Sequence, residues 1–282
     1  MTQTRMPTYF LSHGGGPWPW LKDLRPGMYD QLETSLLDVR HELGEAPKAV
    51  LMISGHWEAD RFLVSSAARP QMFYDYGGFP EHTYLIRYDA PGAPALAEQV
   101  RVMLERGGIA TGLDPQRGFD HGTFSLMHTM YPEATMPLVQ LALRSDFDPA
   151  AHVRVGELIA PLRDEGVVIV GSGFSFHDTM AMRSGTGAAS SATFDRWLDD
   201  TLTGVSASER SERVVRWAKA PAARAAHPRE DHLLPLMVAV GAAGDDAGTR
   251  VYHQPDFMGA ITASSYRFGV AVSQPQPKLE NT

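Results

Sequence analysis

The chain has 282 residues, with 33 acidic against 25 basic side chains, a net charge of −8, 43% hydrophobic and 21% charged residues. That balance fits a globular protein with a sizeable core, and the lack of a basic stripe argues against a nucleic-acid partner. Cysteine is absent, which excludes disulfides, thiolate metal sites and cysteine nucleophiles and suits a reducing, cytoplasmic setting. No apolar run approaches the ~20 residues of a spanning helix, and no charged-then-apolar leader precedes the first ordered segment, so neither a membrane nor export is expected.

Short apolar runs alternate with amphipathic stretches along the chain, the pattern of an α/β sheet with crossover helices. Strands are predicted over 8–11, 49–53, 62–65, 83–87, 136–143, 166–171 and 261–272. The first helix repeats Leu32, Leu36, Val39 and Leu43 on one face and stops at Gly44. A second carries Leu96, Val100, Met103 and Leu104 and ends at Gly107-Gly108. A third, opened by Asp148 as cap and Pro149 in the first turn, carries Val155, Leu158, Ile159 and Leu162, and Pro161 should interrupt it. Phe194, Trp197, Leu198 and Leu202 mark a fourth, and 232–240 a last. Two small-residue stretches, 184–192 and 241–249, read as surface loops, and the polar tail from 273 to 282 as frayed. No linker separates independent units, so one domain over 1–282 is expected.

Eleven histidines are the distinctive inventory. In open α/β sheets, ligands bind outside the carboxyl ends of strands, and three imidazoles fall there. His13 follows the first strand in "YFLSHGGGP", where three glycines let backbone approach a ligand. His56 follows "LMIS", flanked by Trp57 and Glu58. His177 ends "VVIVGSGFSFHD". His232, in "HPREDHLLPL", opens a helix with Asp231 as its expected cap. One histidine at a strand end is usually a hydrogen-bonded boundary residue, but several on one edge point to a shared site, and imidazole with no thiolate suits a borderline metal. His121 lies in the loop "RGFDHGTF", where Asp120 is placed to orient an imidazole and Gly122 clears space; functional and structural readings are equal there. His82 reads as pocket or surface, His128 as core or boundary, His41 and His152 as solvent-facing on helices, and His227 as a neighbour of the His232 site. His253 has no motif around it. Other chemistries find little support. Gly14-Gly15-Gly16 lacks phosphate-loop spacing, "GSGFS" has Gly173 where a nucleophile elbow needs serine, and no H-E-x-x-H occurs.

The fragments "FLSHGGGP", "SGHWE", "GGFPEHTY", "YDAPGAPALAEQV", "GFDHGTFSLMHTMYPEATMPLVQLAL", "LRDEGVVIVGSGFSFHD" and "HPREDHLLPLMVA" occur in an order that resembles the class III extradiol ring-cleavage dioxygenases, most closely their 4,5-DOPA dioxygenase-like branch. The resemblance spans about residues 7–272. It implies a single α/β domain with a central mixed β-sheet flanked by helices and a mononuclear metal at the carboxyl ends of strands. It matches His13, His56 and His232 to metal-ligand positions, His177 to an acid/base that is sometimes a fourth ligand, and His121 to a catalytic histidine of the substrate pocket. The implied cofactor is iron(II), with zinc possible in isolated protein, because three neutral imidazoles suit either ion where relatives use a carboxylate. The implied partners are a catechol and dioxygen, acting on a monomer or small homo-oligomer, with ring opening beside the diol to a semialdehyde. A zinc hydrolase on the same histidines and a non-enzymatic metal-binding relative are the alternatives. His56 would then end its strand because a rigid strand edge positions a ligand, with Trp57 packed below and Glu58 accepting from the second ring nitrogen or pairing elsewhere.

Overall fold

A computed structural model describes residues 5–272; the tail 273–282 lies outside the described residues. The strands are β1 (Thr8–Ser12), β2 (Ala49–Ala59), β3 (Phe62–Ser65), β4 (Thr111–Asp114), β5 (Leu138–Arg144), β6 (Val167–Gly173), β7 (Gly248–Phe257) and β8 (Ile261–Phe268). The helices are α1 (Asp30–Leu43), α2 (Pro94–Arg106), α3 (His121–Met130), α4 (Pro149–Ile159), α5 (Thr179–Ser184), α6 (Ala188–Thr203), α7 (Ala207–Val215), α8 (Ala223–Ala226) and α9 (Leu234–Ala243). All strands join one mixed sheet in the order β4-β3-β5-β2-β6-β1-β8-β7. The four central strands, β5, β2, β6 and β1, are parallel, so their carboxyl ends share one edge.

Both faces of this centre are covered. The runs "AVLMI" of β2 and "VVIV" of β6 are buried throughout, as a parallel strand between two helical layers requires. Two consecutive residues of β1 identify the layers. The Thr8 hydroxyl donates to the Ala239 carbonyl of α9 at 3.0 Å, and the Tyr9 hydroxyl donates to Glu42 of α1 at 3.2 Å. Successive strand side chains point to opposite faces, so α9 and α1 lie on opposite sides. Every residue of α9 is buried, which explains a helix apolar on all sides, and it packs over β1 and β6 against α4. The α4 cap forms as expected: Asp148 accepts from the Ala150 N–H, Pro149 occupies the first turn, and the α-helix ends at Ile159 before a 3₁₀ segment containing Pro161.

Several expectations are corrected. Residues 83–87 are no strand: Pro80 starts a 3₁₀ turn over Glu81–Tyr84, Thr83 returns both its N–H and hydroxyl to the Pro80 carbonyl, and Leu85 points out at 77% exposure. Of 184–192 only 185–187 is loop, because α5 ends at Ser184 and α6 begins at Ala188, and of 241–249 only 244–247 is, between the end of α9 and the start of β7. Strand β7 was not anticipated; half its residues face solvent, which dilutes the apolar signal. The last helix begins at Leu234 and not at 232, so Asp231 does not cap it. His152 is fully buried, not solvent-facing. Among the described residues no helix is long and apolar enough to cross a membrane.

Candidate metal centre

Local backbone chemistry brings four histidines to the shared carboxyl edge. His13 leaves β1 directly opposite the end of β6, with its N–H donating to the Gly173 carbonyl. Gly14 follows at φ +76°, and a Cβ there would lie 2.4 Å from the Trp18 ring, so the turn needs glycine on both counts. His56 does not end its strand. Regular pairing of β2 with β5 runs to Ile53 and resumes at Glu58, and over that interval β2 advances five positions against two in β5. The imidazole therefore sits in a bulge, the device by which a strand re-aims a side chain. His177 lies beyond β6, anchored by its N–H to the Ala226 carbonyl at 2.8 Å.

His232 arrives on the connection between α8 and α9, which crosses the strand ends at close range. A Cβ on Gly173 would fall 2.1 Å from the His232 carbonyl oxygen, one on Gly171 2.4 Å from that of Pro235, and one on Gly55 3.1 Å from that of Asp231. Three glycines inside or beside strands thus form the bed for the fourth histidine. Glycine within a strand signals this kind of approach, and the sequence reading left that signal unused.

The ring nitrogens converge. His13 Nε2 and His232 Nε2 each lie 3.2 Å from His56 Nε2. The opposite nitrogens fix the tautomers. His232 Nδ1 meets the Asp231 carboxylate at 2.7 Å, and His56 Nδ1 meets that of Asp75 at 3.2 Å, so both must carry the proton. His13 Nδ1 lies 3.0 Å from Ser172 Oγ, whose own proton goes to the Gly122 carbonyl at 2.6 Å, so this Nδ1 donates as well. Each Nε2 is left with a lone pair, and the three lone pairs face one another with no hydrogen to share. Burial first, and the neighbouring imidazoles second, hold His13 well below the ordinary histidine pKa. Burial likewise leads for His56, ahead of His121, and for His232, ahead of His177. Neutral, convergent donors of this kind could hold a cation. Two nitrogens bound to one zinc ion at ~2.0–2.1 Å in tetrahedral geometry would lie about 3.3 Å apart, close to the spacing seen. Asp75 and Asp231 stand behind two of the rings and would offset the charge of a divalent ion.

The remaining histidines fall into place around this centre. His177 stacks on His232 with ring centroids 3.3 Å apart and planes at 15°, and burial lowers its pKa despite the opposing charge of Asp231. His121 opens α3, with its centroid 4.0 Å from that of His56, and a ring nitrogen of His13, His56 and His121 lies within 4.8 Å of the others. Its orienting carboxylate is Asp75, at 2.8 Å from Nδ1, and not Asp120. Asp120 instead caps α3 through the Thr123 N–H and accepts from Ser54 and Arg117. Gly122 clears space for a different ring than expected: a Cβ there would meet Ser54 Oγ at 2.8 Å and His56 Cδ2 at 2.9 Å, and not the His121 imidazole. His227 is buried behind the site with Nε2 on the Ser175 carbonyl, whereas His82 is exposed. His128 is half-buried and stacks on Trp20. Trp57 packs beneath the Arg117 guanidinium, and Glu58 pairs with Arg229 instead of with His56. Asp75, shared by His56 and His121, is the residue that sequence reasoning missed: it lies in "MFYDYGGF", remote from both in the chain.

A cavity of about 600 Å³ opens on the cluster. His13, His56, His121, His177 and His232 form its floor, and Gly14 to Gly16, Tyr76, Phe79, Phe174 and Phe257 contribute walls.

The chain is similar to known proteins along nearly its whole length. The model of the family described as the catalytic LigB subunit of aromatic ring-opening dioxygenase matches residues 7–269. A "4,5-DOPA dioxygenase extradiol" from Beta vulgaris is 36% identical over 269 residues, covering 93% of this chain and 96% of that protein. The Escherichia coli K12 protein of the same name is 30% identical, covering 95% and 97%. "Dioxygenase tasH" of Hapsidospora irregularis is 36% identical over 88% of this chain and 82% of its own length. Among solved structures, an uncharacterized protein of Escherichia coli K12 superposes with a TM-score of 0.75 at 26% identity, covering 94% of this chain and all of that one. A match along nearly the whole chain, on a fold whose strand edge gathers the motif histidines, makes this protein a member of the LigB family of aromatic ring-opening dioxygenases.

Proposed function

We propose that the protein is an extradiol dioxygenase that opens a catechol ring beside its diol to give a semialdehyde, with His13, His56 and His232 holding one metal ion. The observation that carries this reading is the set of three Nε2 lone pairs facing one another at the foot of an aromatic-walled cavity. When bound, iron(II) would polarise the catechol oxygens and relay electrons from ring to dioxygen, whereas zinc would supply only the polarisation.

The chain's own groups would position the diol and move its protons. His177 is neutral because burial lowers its pKa, so it can take a proton from a catechol hydroxyl and later return one, the task of a general acid–base. Its stacking on His232 fixes the plane in which it acts. His121 commits Nδ1–H to Asp75, leaving Nε2 to accept from the substrate. Tyr76 and Phe174, which line the cavity, would offer apolar ring surface to the substrate and help exclude water. A cysteine-free chain needs no oxidising compartment, and we place it in the cytoplasm.

The test is anaerobic reconstitution with iron(II), followed by admission of oxygen to a panel of catechols. Oxygen uptake with formation of yellow semialdehydes is expected with iron and not with zinc. Equal turnover with zinc would favour a hydrolase on the same histidines and end the dioxygenase reading.

A further inference from the structure

We propose that the cavity selects a catechol whose side arm ends in an anion and bears no ammonium group, so that a catechol carboxylic acid is preferred over a catechol amino acid. This rests on the reading of the site as a catechol dioxygenase and names its substrate class more narrowly. Two guanidinium groups from separate elements line the cavity: Arg25, in the turn before α1, and Arg183, in the last turn of α5. Neither meets a carboxylate among the described residues. Arg25 makes a long contact to Met28 Sδ at 3.8 Å and lies within electrostatic reach of the Tyr29 hydroxyl, and Arg183 has no polar side-chain partner among the described residues.

No aspartate or glutamate lines the cavity. Three carboxylates behind the cavity wall are committed elsewhere: Asp75 to His121 and His56, Asp231 to His232, and Asp178 to the N–H groups of Met180 and Ala181 in α5. An arm ending in a carboxylate would find two unpaired guanidiniums, whose planar forks suit it. An ammonium would find no carboxylate in the lining and two like charges beside it. An α-amino acid arm would gain from one end and lose from the other.

Four catechols with the same diol and different arms separate these terms: 3-(3,4-dihydroxyphenyl)propanoate, 4-methylcatechol, DOPA and dopamine. Their binding to the metal-loaded protein is measured by anaerobic calorimetry. The propanoate should bind about 10-fold tighter than 4-methylcatechol, in the range of one charge-assisted contact. DOPA should gain little over 4-methylcatechol, and dopamine should bind weakest. In the Arg25→Gln, Arg183→Gln double variant the propanoate-to-methylcatechol ratio should collapse toward unity, and in the wild type it should shrink as salt rises. DOPA or dopamine binding as tightly as the propanoate, or a preference that survives the double substitution, would overturn the proposal. Because binding is read without oxygen, the two readings fail separately. The expected order without oxygen uptake would remove the dioxygenase activity alone, and oxygen uptake that ignores the arm's charge would remove the specificity alone.

Discussion

His152 and His13 are both buried imidazoles beside the carboxyl end of a strand, yet their nitrogens are treated in opposite ways. His152 Nδ1–H donates to the Asp148 carbonyl at 2.7 Å, and its Nε2 accepts the Arg144 N–H at 3.2 Å, so both nitrogens are satisfied by backbone. His13 satisfies only Nδ1, and its Nε2 points at another imidazole that also offers a lone pair. Burial alone does not separate structure from function here, since both rings are essentially inaccessible. The direction of the second nitrogen does. A fold that aims three buried lone pairs at one point has built a binding site for something electron-poor.

The sharpest way to break this comparison is to remove one ring from each region. His13→Ala, His56→Ala and His232→Ala should each lose the bound metal and, with it, oxygen uptake, because two remaining imidazoles hold a divalent ion poorly. His152→Ala should keep full metal content, at some cost in stability. Metal analysis of the purified variants decides it. Full stoichiometry in any of the first three would mean that its ring is no ligand, and metal loss in the last would mean that the two regions do not differ as argued.

His177 tests a subtler boundary, between holding an ion and moving a proton. His177→Ala should retain metal and slow turnover by about 10²- to 10⁴-fold, the range of general acid–base catalysis. His177→Gln should be nearly as slow, because it keeps a hydrogen bond without proton transfer. A parallel fall in metal affinity would make it a fourth ligand, and wild-type turnover in a metal-replete variant would rule out both roles.

How much of this was legible in the sequence follows from where each signal resides. His13, His56 and His177 were placed on one edge because each follows an apolar run, and parallel strands bring their carboxyl ends together. The β5-β2-β6-β1 centre reads well for the same reason: strands buried on both faces are continuous apolar stretches. Asp75 could not be read this way. It reaches His56 and His121 from a loop whose path depends on tertiary packing, with an isolated bridge between Met72 and Phe119 bringing its segment alongside. Asp231 was read as a cap because an acid before a helix usually is one, and the carboxylate prefers the adjacent imidazole. The misread 83–87 alternates like a strand but has no neighbour to pair with.

Asp75 supplies the next prediction. As the shared partner of His56 Nδ1 and His121 Nδ1, it positions a proposed ligand and a proposed substrate-facing ring at once. Asp75→Asn offers one acceptor oxygen where the carboxylate now serves three N–H groups, the backbone and Nδ1 of His121 and Nδ1 of His56, and should lower metal affinity by about 10- to 100-fold, as loss of an outer hydrogen bond does elsewhere. It should also raise KM for the catechol through His121. Metal titration and steady-state kinetics read the two effects separately. Unchanged metal affinity would confine the carboxylate to the substrate side.

The smallest expected effect sharpens the comparison from the structural side. Burial lowers the His152 pKa from 6.5 to about 4, with the Asp148 carbonyl opposing. The folded-state pKa is therefore below the unfolded one, and the unfolded chain binds more protons throughout that window. Stability from this group is complete above pH 6.5 and is lost progressively as pH falls toward 4. Between pH 7 and pH 5 the loss is about 2 kcal/mol. His152→Gln can keep both bonds, donating to Asp148 and accepting from Arg144, without a titrating group. Its urea unfolding free energy should fall less than that of the wild type over the same interval, and the gap between the curves isolates His152 from the clustered histidines present in both proteins. Parallel curves would mean that His152 accepts a proton in the folded state as readily as in the unfolded chain. Its two backbone hydrogen bonds would then not hold it neutral, and the contrast with His13 would lose its structural half.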